Sequence, residues 1–131
     1  GCASGDFLYA AIEQLGLDAK SQLGVDVLPE LLSAAESKLP NTRFESGDIS
    51  SLDFSTSGDF DVLHLAGVMQ IFDDFQPVID NCLRAVQEAG LVIISGPFNP
   101  YPIDLITRYR DCSDLEKNPD PDLELGWNIF S

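Results

Sequence analysis

Gly1-Cys2-Ala3-Ser4-Gly5-Asp6 opens the chain and leads directly into the apolar stretch Phe7-Leu8-Tyr9-Ala10-Ala11-Ile12. Glycine adopts positive φ without strain and has no side chain to keep a ligand at a distance. The first turn of a helix leaves backbone N–H groups without intrahelical partners. The pattern therefore predicts a ligand-binding turn at the start of a helix, and it favours a nucleotide-like cofactor.

Asp6 narrows the choice of cofactor. The dinucleotide fingerprint GxGxxG needs a small residue at its sixth position, where a pyrophosphate lies above the helix N-terminus. The carboxylate of Asp6 would repel a pyrophosphate, although it suits the positive end of the helix dipole. The sequence therefore favours a cofactor without phosphates.

Helical and strand-like segments alternate along the chain. Their spacing predicts helices over 6–15, 29–38 and 75–89 and strands over 22–27, 43–48, 61–66 and 91–95. Alternation of this kind is typical of an α/β fold, a doubly wound Rossmann-like sheet with helices on both faces. Gly90 is expected to end the third helix in the left-handed conformation.

The segment GCASG at residues 1–5 resembles the glycine-rich GxGxG loop of class I S-adenosylmethionine-dependent methyltransferases. Further segments follow in the order found in that family: GVDVLPELLSAAE at 24–36, RFESGDI at 43–49 and FDVLHLAGVM at 60–69. The chain is therefore similar to this family over most of its length up to about residue 96.

The resemblance implies S-adenosylmethionine as the cofactor, with S-adenosylhomocysteine as the product. It implies that Asp26 holds the ribose, that Asp48 accepts a hydrogen bond from the adenine amino group and that Ile49 packs on the adenine ring. The full set of cofactor-binding residues that it implies is Gly1, Ala3, Gly5, Asp26, Val27, Asp48, Ile49 and Ala66.

In the same family a central strand precedes the glycine loop, and an antiparallel pair of strands closes the sheet. Because this chain begins at Gly1, we expect residues 1–131 to form a single, incomplete cofactor-binding domain that lacks the first strand and the C-terminal hairpin strands. Unpaired ladder groups and exposed apolar faces would make such a piece unstable on its own.

Methyl transfer asks the protein mainly to hold the nucleophile, methyl group and sulfur in line, and a base is needed only for some acceptors. His64 lies in the middle of a predicted strand, where a structural histidine is favoured over a base. Gln70 and Ile71 stand where many relatives have histidines, so the catalytic residues stay unknown. For Asp73 and Asp74 we favour capping of the next helix over a role as base.

The segment after the last predicted strand holds the candidate acceptor residues. Asn99 and Tyr101 would orient a polar acceptor from a proline-stiffened loop, and a purely structural turn is an equal alternative. Arg108 and Arg110 are expected on a helix, where a solvated face is favoured over a grip on an acceptor anion. Trp127 has no assigned role.

Composition limits the partners. Seven Lys and Arg residues against 22 Asp and Glu residues give a net charge of −15, which disfavours nucleic acid and anionic membranes. The three cysteines show no CxxC pair, so no zinc site or other metal site and no disulfide framework is expected. Cys2 is expected to pack rather than to act as a nucleophile. These features favour a cytoplasmic protein with a small-molecule substrate, and the oligomeric state stays open.

The leading hypothesis is methyl transfer from S-adenosylmethionine to a small-molecule acceptor. One alternative is a non-catalytic relative that keeps the cofactor site for assembly or regulation. Another is an NAD-dependent oxidoreductase with the same kind of sheet, which Asp6 disfavours.

Overall fold

The computed structural model describes residues 1–51, 60–113, 116 and 120–131. Its elements in chain order are α1 (Asp6–Leu15), β1 (Leu23–Asp26), α2 (Pro29–Lys38), β2 (Arg43–Ser46), β3 (Phe60–Ala66), α3 (Gln76–Ala85), β4 (Val86–Ser95), β5 (Arg108–Tyr109) and β6 (Glu124–Leu125). Short 3-10 turns cover Ala19–Ser21 and Met69–Ile71. The predicted α/β class is confirmed.

The strands form separate pairs. β1 runs parallel to β2, β3 runs parallel to β4, and β5 pairs antiparallel with β6. No ladder joins β1 to β3 among the strands that the structure describes. The doubly wound sheet is therefore present in an incomplete form, as predicted.

Local signals set the first two helices. Gly5 at φ 75° precedes α1 and Gly16 at φ 66° follows it, both in the left-handed conformation. Pro29 begins α2, where its missing N–H costs nothing and its fixed φ suits the first turn. Both helices therefore begin and end at the predicted residues.

The third helix is shorter than predicted. It ends at Ala85, and the next residue, Val86, is extended and pairs with Phe60. Gly90 lies within β4, and the left-handed residue is Ala89, with φ 66°. The prediction for Gly90 was wrong because the hydrogen-bonding partner that β3 offers to Val86 is distant in sequence.

The predicted helix around Arg108 and Arg110 is also wrong. Leu105 instead exchanges backbone hydrogen bonds of 2.8 and 2.9 Å with Ile129, and Arg108 belongs to β5. Local apolar spacing suggested a helix, whereas the backbone groups of this segment find their partners some twenty residues later in the chain. Strand pairing therefore replaces helical hydrogen bonds here.

The main core lies between α3 and one face of β3 and β4. Its buried members are Leu65, Met69, Val78, Cys82 and Phe130. The ring of Phe130 meets that of Phe75 edge to face, with centroids 4.9 Å apart. The C-terminal segment therefore packs against the same core as α3.

Each of the three α-helices that the structure describes has ten residues. Such a helix is about 15 Å long, roughly half the thickness of a bilayer's hydrocarbon core. None of them can therefore span a membrane.

Candidate functional site

The glycine loop is held to the end of β1 by one carboxylate. Asp26 accepts the backbone N–H of Ala3 at Oδ2, 2.8 Å away, and that of Leu28 at Oδ1, 3.0 Å away. A further backbone bond of 2.8 Å joins the Cys2 N–H to the Val25 carbonyl. The loop and the strand end thus form one hydrogen-bonded unit.

The charge of Asp26 depends on this unit. Asp26 is buried, with a relative exposure of only 6%. Burial by itself raises the pKa of the Asp26 carboxyl, but the hydrogen bonds from Leu28 and Ala3 more than offset burial and the pKa is lowered overall. Asp26 is therefore a carboxylate at neutral pH, and it carries a second lone pair on each oxygen for a further donor.

Close packing leaves little room around the loop. A Cβ atom at Gly24 of β1 would overlap the Phe44 ring and lie 3.0 Å from the Cys2 sulfur. Cys2 thus packs against β1, and burial raises the pKa of its thiol. A Cβ atom on Gly5 would lie only 3.2 Å from the Cβ atom of Ala35, so the start of α1 packs closely against α2.

Asp6 begins α1 and is paired with the last turn of α2. Its carboxylate accepts the Ser4 hydroxyl at 2.6 Å and the Lys38 ammonium at 2.5 Å. The hydrogen bond from Lys38 lowers the pKa of Asp6. The negative charge predicted at the start of α1 is therefore present. Its cationic partner, Lys38, was not predicted from the sequence.

A turn that contains Asp48 follows β2 and lies beside the end of β1. The Gly47 N–H donates to the Asp26 carbonyl at 3.0 Å, which joins the end of β2 to the end of β1. Asp48 is exposed, and its Oδ1 accepts the N–H and the hydroxyl of Ser50 at 2.8 and 2.7 Å. Ile49 is half-buried and packs against the core beneath.

Two more of the predicted cofactor residues lie at strand ends. Val27 follows β1 and is 54% exposed, and Ala66 ends β3 and is exposed. Gly1 lies against Val68, since a Cβ atom at Gly1 would overlap the Val68 side chain. The carboxyl ends of parallel strands are the usual ligand-binding edge of a doubly wound sheet.

His64 makes packing contacts. Its Nε2 lies 2.9 Å from the Ser95 hydroxyl on β4, and its ring centroid lies 4.2 Å from that of Phe7 on α1. This environment matches the structural role that the sequence favoured.

Gln70 and the two acids that follow it lie in the connection from β3 to α3. Gln70 is completely buried and donates weakly to the Pro97 carbonyl at 3.5 Å, and its Oε1 has no hydrogen-bond partner among the described residues. Asp74 accepts the Gln76 N–H at 3.0 Å, but the N-cap residue of α3 is Phe75, which makes no side-chain capping bond. Asp73 pairs with the guanidinium of Arg108.

The candidate acceptor residues lie on the loop after β4. The Asn99 side chain closes its own turn, since its amide donates to the Ile103 carbonyl at 2.8 Å and accepts the Tyr101 N–H at 3.1 Å. Tyr101 is 68% exposed. Arg110 faces Asp120 at 3.6 Å.

Buried asparagines are the residues that sequence reasoning missed. Asn81 of α3 is 2% exposed and donates to the Ile49 and Ser51 carbonyls. Asn128 is fully buried and donates to the Phe72 carbonyl at 3.0 Å. The available signal for Asn81 was an amide beside Val78 and Cys82 on a predominantly apolar helical face.

The described residues contain no group of three or more His, Cys, Asp or Glu side chains arranged to hold a metal ion. Ionised carboxylates accept hydrogen bonds and do not donate them, so Asp26 and Asp48 can each take further O–H or N–H donors.

Comparison with known proteins points to one family. Residues 1–119 match a family model described as "Methyltransferase domain". A trans-aconitate 2-methyltransferase of Rhizobium etli is 28% identical over 99 residues, which cover 76% of this chain and 37% of the relative. One from Deinococcus radiodurans is 29% identical, with 76% and 36% covered. The chain thus spans little more than a third of the curated relatives that it matches.

Solved structures agree. A TehB-like SAM-dependent methyltransferase from Corynebacterium glutamicum superimposes with a TM-score of 0.60 at 29% identity, covering 72% of this chain and 50% of the other. An S-adenosylmethionine-dependent methyltransferase from Mesorhizobium loti has a TM-score of 0.65 at 19% identity, covering 97% and 54%, and shows the fold alone. The chain therefore belongs to the methyltransferase-domain family, and S-adenosylmethionine is the cofactor of that family.

Proposed function

We propose that this chain forms the cofactor-binding part of an enzyme that transfers a methyl group from S-adenosylmethionine to a small-molecule acceptor. The observation that carries the proposal is the pairing of the Ala3 N–H with the Asp26 carboxylate at 2.8 Å, because it couples the glycine loop to the acid of the neighbouring strand. Family membership supports it as well.

The proposed cofactor site runs along the strand ends. Gly1, Ala3 and Gly5 would border the methionine part, with Ala66 beside it. Asp26 would take the ribose hydroxyls through its remaining lone pairs, next to the exposed Val27 side chain. Asp48 and Ile49, in the turn that follows β2, would hold the adenine.

The group bound there supplies an activated methyl on a sulfonium centre. The protein's own residues have the tasks of binding, orientation and exclusion of water. The backbone N–H of Ala3 is already used by Asp26, so the loop is positioned before the cofactor arrives. Because the loop is preorganised in this way, less conformational entropy is lost when the cofactor binds.

The small-molecule acceptor is supported by charge and by relatives. A net charge of −15 disfavours nucleic acid as the substrate, because the protein surface would repel its phosphate backbone. The curated relatives are named for trans-aconitate, and a neighbour of 20% identity with a TM-score of 0.62 is a sugar N-methyltransferase. Asn99 and Tyr101 are the proposed acceptor-loop residues, with Tyr101 presenting its side chain to solvent.

A cytoplasmic location belongs to the same proposal. Cys2, Cys82 and Cys112 are free thiols. Reduced cysteines are typical of that compartment.

Calorimetry on the full chain tests the function. We expect S-adenosylmethionine and S-adenosylhomocysteine to bind and NADH not to bind. Asp26→Ala should lose most of this affinity, whereas Glu13→Ala, a change of an exposed acid on α1, should not. Unchanged affinity in Asp26→Ala would overturn the ribose assignment.

Release of S-adenosylhomocysteine upon incubation with a pool of small metabolites then distinguishes an enzyme from a non-catalytic relative. Cofactor binding without any methyl transfer would favour the assembly or regulatory alternative. Binding of NADH in place of the sulfur ligands would favour the oxidoreductase.

A further inference from the structure

Asn81 is a buried polar residue on the helix that packs beneath the acidic turn at residues 48–51. It is 2% exposed, and its Nδ2 donates to the Ile49 carbonyl at 2.6 Å and to the Ser51 carbonyl at 2.9 Å. Its Oδ1 accepts a hydrogen bond from Arg84. Both amide hydrogens and the amide oxygen are therefore engaged.

These bonds hold the backbone of one short turn at two points. Within the turn, the Ser51 N–H donates to the Asp48 carbonyl at 3.1 Å, and Ser50 donates to the Asp48 carboxylate. The turn thus places Asp48 at the surface while Ile49 reaches down to the core. Asn81 thus connects this turn to α3 through two hydrogen bonds.

An apolar residue at this place would fill space without directing the turn. Burial of a carboxamide costs free energy unless the group forms hydrogen bonds. On the side of the turn, the Asn81 amide forms its hydrogen bonds with backbone carbonyls only. Without Asn81 the Ile49 carbonyl would lose its hydrogen bond of 2.6 Å, and the turn would lose the bonds that Asn81 makes to it from α3, which allows the turn to shift. Such a movement would change where Asp48 and Ile49 lie relative to the end of β1.

We propose that Asn81 is a positioning residue for the adenine end of the cofactor, acting through the carbonyls of Ile49 and Ser51. The inference rests on the proposed function, since Asp48 and Ile49 are adenine contacts only if the cofactor binds there. Asn81 itself touches no ligand. Its removal should therefore impair recognition of the adenine edge more than recognition of the rest of the cofactor.

Calorimetry with two defined ligands measures that difference. S-Adenosylhomocysteine carries the 6-amino group of adenine, and S-inosylhomocysteine carries a 6-oxo group in its place. We expect the full wild-type chain to prefer the adenine ligand by about tenfold, the effect of one hydrogen bond. Asn81→Ala should reduce that preference to less than about threefold, because the Asp48 turn is no longer held in place.

Asn128→Ala is the matched control. Asn128 is also a fully buried asparagine whose amide donates to a backbone carbonyl, that of Phe72, but it holds the connection between β3 and α3. Its loss should lower stability to a similar degree and leave the preference for adenine unchanged. A general loss of stability would instead affect both ligands equally.

Asn81→Leu covers the case in which the alanine variant does not fold. Leucine has a similar volume and therefore leaves no cavity, and it has no hydrogen to donate to Ile49 or Ser51. It should show the same reduced preference. A wild-type preference retained by a folded Asn81 variant would overturn the proposal, whereas failure of the wild-type chain to bind S-adenosylhomocysteine would overturn the proposed function itself.

Discussion

Ala3 donates its backbone N–H to the carboxylate of Asp26 at 2.8 Å, across 23 positions of sequence. The bond joins a loop that would border the methionine end of the cofactor to the strand end that would hold its ribose. Because Asp26 also accepts the Leu28 N–H, one side chain shapes both the glycine loop and the start of the next connection.

Asp26→Asn should destabilise the protein. An amide accepts only at its oxygen, so its NH2 group would face either the Ala3 or the Leu28 N–H, donor against donor. We expect a loss of about 1–3 kcal/mol in the free energy of unfolding, measured by urea denaturation. Asp18→Asn is the control, because Asp18 accepts a single N–H at the start of an exposed turn and asparagine caps equally well. Equal effects of the two substitutions would contradict the special role of Asp26.

The contribution of Asp26 should depend on pH. Its pKa is lower in the folded protein than in the unfolded chain, so its ionised form stabilises the fold above about pH 4. That stabilisation is lost as the pH falls through the folded-state pKa. The difference in unfolding free energy between wild type and Asp26→Asn should therefore be large near pH 5 and shrink as the solution is acidified further. A difference that grows on acidification would refute the lowered pKa.

Ala3→Gly should stabilise the glycine loop. Ala3 has φ 48°, a conformation that costs an L-residue about 1–2 kcal/mol and costs glycine nothing. After the greater entropy of glycine in the unfolded chain is subtracted, we expect a net gain of about 0.5–1 kcal/mol in thermal or urea unfolding. Ala89→Gly is matched, since Ala89 has φ 66° in β4. Both should gain stability, and Ala10→Gly within α1 should lose it.

Gly24→Ala should displace the Cys2 side chain or the Phe44 ring. The added methyl would overlap the ring of Phe44 and lie 3.0 Å from the Cys2 sulfur. We expect a loss of about 1–3 kcal/mol in stability, the usual result of overpacking. In a double-mutant cycle the further change Phe44→Leu should recover part of this loss by giving the methyl room. Strictly additive effects of the two changes would show that the ring is not the obstacle.

Gln70→Met should raise stability. The Gln70 side chain is completely buried and its Oε1 lacks a partner within the described parts of the chain, whereas methionine has a similar length and no such group. Removal of a buried, unpaired acceptor should add about 1 kcal/mol to the free energy of unfolding. Gln14→Met on the exposed face of α1 should change it little. Destabilisation by Gln70→Met would mean that the hydrogen bonds of the amide, to the Pro97 carbonyl or to an internal water, outweigh the cost of burying its oxygen.

Local chemistry determined the parts of this protein that the sequence predicted. Gly5 and Gly16 delimit α1 and Pro29 begins α2, because positive φ and a fixed proline φ act on the backbone at the residue itself. The order of the glycine loop and the acids Asp26 and Asp48 was likewise readable, since parallel strands bring their carboxyl ends to one edge.

Only the tertiary structure decided contacts between residues far apart in sequence. α3 ends at Ala85 because β3 pairs with Val86, and the segment around Leu105 is extended because Ile129 pairs with it. The Lys38 partner of Asp6 and the hold of Asn81 on Ile49 arise in the same way. Hydrogen bonds and burial stabilise such pairs only after the chain has folded, so no local sequence pattern predicts them.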